Sequence, residues 1–351
     1  MDLLVDHHCH GIVRRDLDRE GFEARLTEAD RPAPGTTFFD SAIGVAVRRL
    51  CAPVLDLPAG ATPDAYLERR SELGHAEVGR RFLRGAGLAA VLVDTGYEPE
   101  PLTTPASLGA AAGAAAYEIV RLEKVAADLI TGEVSAARFA DAVRGALADA
   151  AARPATVAFK SIAAYRVGLA LGDMRPSEAE VRAATGRWLA SGSGRLADEV
   201  LHRFLAYAAV ETGLPLQFHT GLGDRDVDLR GCDPLLLAPW LRSVEADGVP
   251  VMLLHCYPFH RAAGYLAQVF PAVHLDLGLA THNVGARAAA VLAEALELCP
   301  YGKFLYSSDG FALPELHFLG AALFREAADR DLVAHTTGNA RRIYRLGDAS
   351  K

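Results

Sequence analysis

Residues that can bind a metal ion and activate water follow short apolar runs at several places in this chain. They are His8 and His10, Lys160, His219, His255 and Asp309, with Asp276 at the end of one further run. Short apolar runs bounded by turns are typical of buried parallel strands. In a barrel of parallel strands, chemistry gathers at the C-terminal ends of the strands. We therefore predict one metal site, assembled from residues that are far apart in the sequence.

The first run carries two histidines, two positions apart. Side chains at i and i+2 of a strand point to the same side, so His8 and His10 are predicted to face the barrel axis together. Neutral imidazole is a preferred ligand of zinc and similar divalent ions. His7 faces the opposite side and is excluded from the site. The alternative is a chance cluster of histidines without a metal.

His219 and His255 each end an apolar run directly before a turn. A single histidine at such a position is usually packed or hydrogen-bonded, but two on consecutive strands, beside a His-x-His pair, favour metal binding. Asp309 ends the last run. It is predicted to ligate the metal and to accept a proton from water. Its alternative is a turn aspartate, because Asp-Gly often marks a turn.

Lys160 has two interpretations that the sequence leaves open. It could be carbamylated by carbon dioxide and bridge two metal ions, or it could remain an ammonium that binds a substrate carboxylate. Arg166 and Arg121 are further candidates for substrate binding, since arginine recognises carboxylates with two hydrogen bonds. Arg121 could instead pair with Glu123 and hold the barrel together.

Other polar residues receive a structural interpretation. His202, His260 and His282 are predicted to lie on the surface or in the cap. Asp224, Asp226 and Asp228 have a calcium-loop spacing but lack the glycine and terminal glutamate of an EF-hand, which excludes that site.

Eight strand candidates alternate with helical segments. The strands are predicted at residues 3–9, 87–96, 117–123, 156–160, 214–219, 249–255, 272–277 and 303–308. Helices are predicted over 125–151, over 176–212 with Ser177 as N-cap, over 285–298 and over 316–328. This alternation predicts an α/β fold, a (β/α)8 TIM barrel in one domain that spans 1–351. Residues 14–84 are too long for a barrel loop and are predicted to form a helical cap insertion after the first strand.

Composition narrows the functional class. The net charge of −8 provides no basic surface for nucleic acid or anionic lipid. No leader pattern or membrane span is visible, and the five cysteines are odd in number and scattered, without a disulfide or thiolate-zinc pattern. We expect a cytoplasmic protein that acts on a small molecule. An alanine- and leucine-rich surface over 140–152 is a candidate contact for a homo-oligomer.

Several motifs together carry a family resemblance. They are the segments Val5-Asp6-His7-His8-Cys9-His10, Phe159-Lys160-Ser161-Ile162-Ala163-Ala164-Tyr165-Arg166, Gln217-Phe218-His219-Thr220-Gly221, Leu254-His255-Cys256-Tyr257-Pro258, Ser307-Ser308-Asp309-Gly310 and Gly338-Asn339-Ala340-Arg341. With them the chain resembles the amidohydrolase-2 branch of the amidohydrolase superfamily, which comprises metal-dependent TIM-barrel enzymes. Within that branch it resembles the amidohydrolase-like domain that occurs fused to a glutamine-synthetase-like domain.

The resemblance implies roles for the strand-end residues. It implies His8, His10 and His219 as metal ligands, Asp309 as ligand and proton acceptor, and His255 as a second-metal ligand or an electrophilic histidine. One or two ions are implied, with zinc the first choice and manganese or iron the alternatives. Two ions would go with a carbamylated Lys160.

We expect hydrolysis of a C–N bond in a small amide, with a γ-glutamyl amide as one candidate. A metal-dependent decarboxylase or isomerase of a small carboxylic acid is the first alternative. A non-catalytic binding module is the second.

Overall fold

Seven short apolar runs form one parallel sheet in the computed structural model, which describes residues 2–347. The strands are neighbours in the sheet in the same order as in the chain. They are β1 (Leu4–Cys9), β2 (Leu88–Asp94), β3 (Ala115–Arg121), β4 (Thr156–Ser161), β5 (Leu216–His219), β6 (Val251–Leu254) and β7 (Val273–Leu275). All of their carboxyl ends therefore meet at one end of the curled sheet.

The sheet is closed by residues 304–309, which we call the closing segment. Phe304 forms an isolated parallel bridge with Leu275 of β7. On the other side, the N–H of Asp309 donates to the carbonyl oxygen of His8 over 3.0 Å. The prediction of an eighth continuous strand over 303–308 is wrong, because the N–H of Ser308 donates to a carboxylate oxygen of Asp6 instead of to the ladder. The segment still occupies the eighth position of a TIM barrel.

Helices cover the outside of the sheet and fill the connections. They are α1 (Arg19–Glu23), α2 (Ala42–Ala46), α3 (Pro63–Gly85), α4 (Pro105–Ala112), α5 (Leu122–Thr131), α6 (Phe139–Ala151), α7 (Glu178–Ser191), α8 (Glu199–Val210), α9 (Ala238–Val244), α10 (His260–Val269), α11 (Gly278–Asn283), α12 (Ala288–Ala295), α13 (Pro314–Ala327) and α14 (Arg330–Ile343). Single 3₁₀ or π turns connect several of them. The alternation of strand and helix confirms the (β/α)8 class.

Two long predicted helices are each divided in the structure. The segment predicted as one helix over 125–151 is divided between α5 and α6, because α5 ends at Thr131, with Gly132 as its C-cap, and α6 begins at Phe139. The segment predicted over 176–212 contains α7 and α8. Gly192, with a φ of 62°, ends α7, and Asp198 caps the start of α8. The predicted N-cap at Ser177 is confirmed, since its side chain and that of Glu180 form a capping box.

Helices α1 to α3 form the insertion between β1 and β2. Their aromatic side chains share an apolar cluster with α13, to which Phe22 and Phe82 belong. A buried ion pair of 2.8 Å between Arg70 and Glu315 also joins α3 to α13. The loop after α1 lines the cavity at the carboxyl end of the barrel. The insertion therefore supplies one wall of the space in front of the strand ends.

Two expectations about the chain as a whole can be compared with the structure. Within residues 2–347, no helix combines the length and the apolar character needed to cross a membrane. All five cysteines are buried and unpaired, which confirms that there is no disulfide framework.

Candidate metal centre

The six residues predicted from the sequence meet at the carboxyl end of the barrel. They are His8 from β1 and His10 just after it, Lys160 from β4, His219 from β5, His255 directly after β6, and Asp309 from the closing segment. Five of them line a cavity of about 460 Å³, and His8 lies buried beneath it. The strand register thus brings together residues that lie up to 301 positions apart (309 − 8).

Asp309 lies at the centre of this group. Its Oδ1 atom is 3.1 Å from Nε2 of His8 and 3.6 Å from Nε2 of His10. Its Oδ2 atom is 3.5 Å from Nε2 of His255. Its backbone φ is 50°, a left-handed value that non-glycine residues adopt at a cost and that is often found at functional sites. The backbone is therefore held so that one carboxylate faces three imidazoles.

The outer nitrogens of the first two histidines are engaged by acceptors. Nδ1 of His8 lies 2.7 Å from Oε1 of Gln217, and Nδ1 of His10 lies 3.2 Å from the carbonyl oxygen of Asp94. Each acceptor receives a hydrogen bond from the Nδ1–H group of a neutral imidazole, so Nε2 has the lone pair. Such outer partners are typical of metal-ligating histidines.

His7 faces away from the cavity, as its position in the strand predicts. It is fully buried, and its Nδ1 lies 2.8 Å from the hydroxyl of Tyr344. Its Nε2 lies 2.7 Å from Oδ2 of Asp276. The hydroxyl of Tyr344 in turn lies 2.8 Å from the amide nitrogen of Gln217. His7 therefore belongs to a buried polar network behind His8.

His219 and His255 lie side by side, with ring centroids 4.7 Å apart. Nε2 of His219 is buried and has no hydrogen-bond partner within residues 2–347. Nδ1 of His255 accepts from the N–H of Leu279 over 3.4 Å, so a neutral His255 carries its proton on Nε2. Gly278 allows this approach, because a Cβ there would lie 2.8 Å from Nδ1 of His255. His255 thus presents an N–H group, whereas the contacts within residues 2–347 assign no tautomer to His219.

Lys160 is buried beside the first histidine. Its Nζ atom is 3.2 Å from Nε2 of His8 and 4.0 Å from Oδ2 of Asp94. Burial lowers the pKa of Lys160 below its usual value, although the charge of Asp94 opposes this shift. The lowered pKa increases the fraction of the neutral amine at neutral pH.

Electrostatics place the imidazoles and the carboxylate in the forms that bind metals. Burial lowers the pKa of His8 to about 3, helped by the charge of Lys160, and it lowers the pKa of His219 and His255 as well. Burial alone would raise the pKa of Asp309, but the surrounding histidines lower it by more, to well below its usual range. Neutral imidazoles and an ionised carboxylate are what a divalent cation requires.

The residues present therefore fit a divalent metal ion. Nε2 of His219 and Oδ1 of Asp309 are buried without hydrogen-bond partners in the described chain. Nε2 of His8 and of His10 point at the same carboxylate. Three nitrogens, one oxygen and no thiolate suit zinc and similar ions.

Two predicted substrate-binding residues differ in their surroundings. Arg121 is buried, and its Nη2 lies 2.6 Å from Oδ2 of Asp94, so the alternative pairing with Glu123 is wrong. Glu123 instead accepts from the hydroxyl of Ser161 over 2.9 Å. Arg166 is half-buried and lines the cavity. Sequence could not assign these pairs, because they depend on which strands are neighbours.

The prediction that His202, His260 and His282 lie on the surface or in the cap is wrong. All three are buried. His260 lies 2.7 Å from a carboxylate oxygen of Glu294. His282 lines the cavity, and its Nε2 lies 3.1 Å from the carbonyl oxygen of Ser308. These contacts cross between elements and have no signal in the local sequence.

Other residues at the site had no predicted role. Gln217 lies two positions before His219 on β5, and the same i, i+2 rule that selects His8 and His10 could have placed it on the inner face. Asp94 ends β2, where the strand-end rule also applies. Glu28 belongs to the insertion, where no pattern connects it to the cavity.

Comparisons with known proteins agree with this architecture. The sequence model of a family described as Amidohydrolase matches residues 5–346. A crystal structure from Lactobacillus casei, provisionally named a metal-dependent hydrolase, is 30% identical, covers 97% of this chain and 95% of its own, and has a TM-score of 0.85. Glucuronate isomerase from Caulobacter crescentus, 14% identical over 100% of this chain and 92% of its own, has a TM-score of 0.60 and shows the fold alone.

One curated relative matches part of the chain. Protein fluG from Emericella nidulans is 37% identical over 202 residues, which are 53% of this chain. The matched region spans only 23% of the length of fluG.

Proposed function

Because this chain belongs to the amidohydrolase family of metal-dependent enzymes, we propose that it hydrolyses a C–N bond of a small amide. The observation that carries the proposal is the position of Asp309. Its ionised carboxylate lies within 3.6 Å of Nε2 of His8, His10 and His255, with Oδ1 free of hydrogen bonds within residues 2–347. A carboxylate in this position can take a proton from water that attacks a carbonyl group.

We propose zinc as the bound ion, held by His8, His10, His219 and Asp309. When bound, such an ion polarises a carbonyl group and lowers the pKa of water to about 7. These residues would offer the ion three nitrogens and one oxygen, a set that suits zinc.

His255 has a separate role in this proposal. Because its Nδ1 accepts from Leu279, its Nε2 carries a proton and can donate a hydrogen bond to the oxygen of the scissile carbonyl. The ring lies 4.7 Å from that of His219, which places the donor beside the proposed metal ligands. The ligand atoms of His8, His255 and Asp309 also lie within 4.8 Å of one another, so a role of His255 as a metal ligand is the alternative to this proposal.

Metal content is the first test of the proposal. Protein purified without chelator is expected to contain at least one divalent transition metal per chain by elemental analysis. A chain that contains no metal and takes up neither zinc nor manganese on titration would contradict the site. It would favour a non-catalytic binding module.

The reaction is tested by product analysis. The metal-loaded protein is incubated with a panel of small amides and, separately, with a panel of carboxylic and uronic acids. Release of an amine or ammonia from an amide supports the proposal. Release of carbon dioxide, or isomerisation of a sugar acid without amide hydrolysis, overturns it in favour of the decarboxylase or isomerase alternative.

Two expectations about the protein in the cell are proposed with this function. The five unpaired, buried cysteines support a reducing compartment, and we propose the cytoplasm. A homo-oligomer through the surface of residues 140–152 is also proposed, and size-exclusion chromatography with light scattering tests it.

A further inference from the structure

The cavity in front of the metal residues contains more charged side chains than metal binding uses, and nearly all of them are paired. The pairs are Arg121 with Asp94 at 2.6 Å, Arg195 with Asp226 at 3.0 Å, Asp30 with Arg225 at 2.8 Å, and Arg25 with Glu100 at 2.8 Å. Asp224 accepts from the backbone N–H of Asp226. These contacts hold the walls of the cavity and leave little charge for a ligand.

Three lining residues, Arg166, Glu28 and Asp224, form no ion pair within the described chain, and of these the carboxylate of Asp224 accepts its backbone hydrogen bond. The guanidinium of Arg166 donates only to the carbonyl oxygen of Tyr165, over 3.3 Å, and no carboxylate of the described chain lies within ion-pair distance. The carboxyl group of Glu28 makes no hydrogen bond or ion pair within residues 2–347. Both side chains line the same cavity as the metal residues.

The two residues come from different parts of the fold. Arg166 follows β4, after the 3₁₀ turn Ala163–Tyr165. Glu28 comes from the insertion that covers the barrel. Tyr165 precedes Arg166 in the chain and lines the same cavity. Its ring packs 4.5 Å from that of His219, and its pKa is raised by burial and then by the charge of Glu28. The cavity therefore has a cationic and an acidic residue near one side chain, adjacent to the proposed metal ligands.

An unpaired charge in a partly buried position is costly, because it loses hydration without a compensating partner. The pKa of Glu28 illustrates this cost, since burial and the nearby acidic groups raise it to about 8, so that the carboxyl group is ionised at neutral pH mainly when a cation lies beside it. A ligand that brings an opposite charge to each residue removes both costs. A group with an ammonium and a carboxylate has this chemistry.

We propose that Glu28 binds the ammonium and Arg166 the carboxylate of an amino-acid end group, so that the substrate is an amide that carries a zwitterion away from its scissile bond. This inference rests on the proposed amide hydrolysis. A γ-glutamyl amide meets the requirement, because its α-ammonium and α-carboxylate lie at the opposite end from the γ-amide. The cavity, at about 460 Å³, has room for a molecule of this size.

The experiment measures binding rather than turnover. Zinc-loaded protein is titrated by calorimetry with L-glutamate, with glutarate, which lacks the ammonium, and with 4-aminobutyrate, which lacks the α-carboxylate. L-Glutamate is expected to bind at least about tenfold more tightly than either analogue, because it makes one more charge-assisted contact than each of them. Glu28→Gln should remove the preference over glutarate, and Arg166→Gln should remove the preference over 4-aminobutyrate.

Control variants separate a local role from general damage. Glu297→Gln and Arg261→Gln alter a surface ion pair far from the cavity and should leave all three affinities unchanged. Arg166→Lys keeps the charge and should restore part of the preference lost in Arg166→Gln. Thermal unfolding of each variant shows whether it is folded.

The outcomes distinguish this inference from the proposed function. If glutarate binds as tightly as L-glutamate, or if Glu28→Gln and Arg166→Gln keep the wild-type preferences, the inference is wrong, even when neutral amides are hydrolysed. If the preferences follow the prediction but no amide is hydrolysed, the zwitterion site is supported and the proposed reaction is wrong.

Discussion

Oε1 of Gln217 accepts a hydrogen bond from Nδ1 of His8, and the two atoms lie 2.7 Å apart. The orientation of the amide is fixed by its other end, because its nitrogen lies 2.9 Å from the carbonyl oxygen of His7, which can only accept. Nδ1 of His8 must therefore carry the proton. This leaves the lone pair on Nε2, beside Asp309.

Replacement of Gln217 should weaken metal binding. Gln217→Leu removes the acceptor for His8 and is expected to lower zinc affinity by about 10- to 100-fold, the usual effect of losing an outer partner of a metal ligand. Competition with a fluorescent chelator measures the affinity. Gln268→Leu, on the exposed side of α10, is the matched control. An unchanged affinity in Gln217→Leu would show that His8 keeps its orientation without the amide.

Asp309→Asn should remove most turnover while the protein stays folded. Asparagine has nearly the same shape as aspartate but cannot accept the proton, so the rate on an identified amide is expected to fall by at least about 100-fold. Circular dichroism should show an unchanged fold, and Asp247→Asn, at an exposed turn, is the control. If Asp309→Asn keeps a rate close to that of wild type, Asp309 stabilises the turn and does not act as the proton acceptor.

Lys160 decides the number of metal ions. A carbamate forms when the neutral amine attacks carbon dioxide and releases a proton, and the lowered pKa of this buried lysine favours the neutral amine. If the carbamate forms, we expect two metals per chain under saturating zinc and bicarbonate, and one in Lys160→Ala. Short-chain carboxylates with bicarbonate should partly restore the second ion. Lys124→Ala, at an exposed ion pair, is the control.

The alternative outcome for Lys160 is equally definite. If the wild-type chain never contains more than one metal under these conditions, Lys160 is a cationic anchor for the substrate. Lys160→Ala should then weaken substrate binding and leave the metal content unchanged.

His274 should make stability depend on pH between about 6.5 and 4. Burial lowers its pKa from 6.5 to about 4, so in this window the unfolded chain takes up a proton that the folded chain does not. The free energy of unfolding therefore decreases as the pH falls, by up to about 1.4 kcal/mol per pH unit for this group. Urea unfolding at several pH values should show a shallower dependence in His274→Asn.

The matched control for this prediction is His335→Asn, because His335 is exposed on α14. That variant should keep the slope of the wild-type protein. If His274→Asn also keeps it, His274 takes up its proton in the folded state as readily as in the unfolded one.

The sequence by itself determined the barrel class and the six residues at the strand ends. Strands alternate their side chains and end at turns, so His8, His10 and His219 could be placed on one face from local patterns. The same rules located Asp309, although the closing segment that carries it is not a continuous strand. Local periodicity is the physical reason why these residues could be identified before the structure.

Only the tertiary structure determines which side chains form ion pairs and hydrogen bonds with one another. Arg121 pairs with Asp94 because β2 and β3 are neighbours, whereas the sequence suggested only a substrate carboxylate or Glu123 as its partner. The tautomers of His8 and His255 depend on Gln217 and Leu279, which are 209 and 24 positions away. Hydrogen bonds and ion pairs act over about 3 to 4 Å in space, whereas sequence patterns describe only neighbours along the chain. That Glu28 and Arg166, with opposite charges, line one cavity could therefore be recognised only from the folded structure.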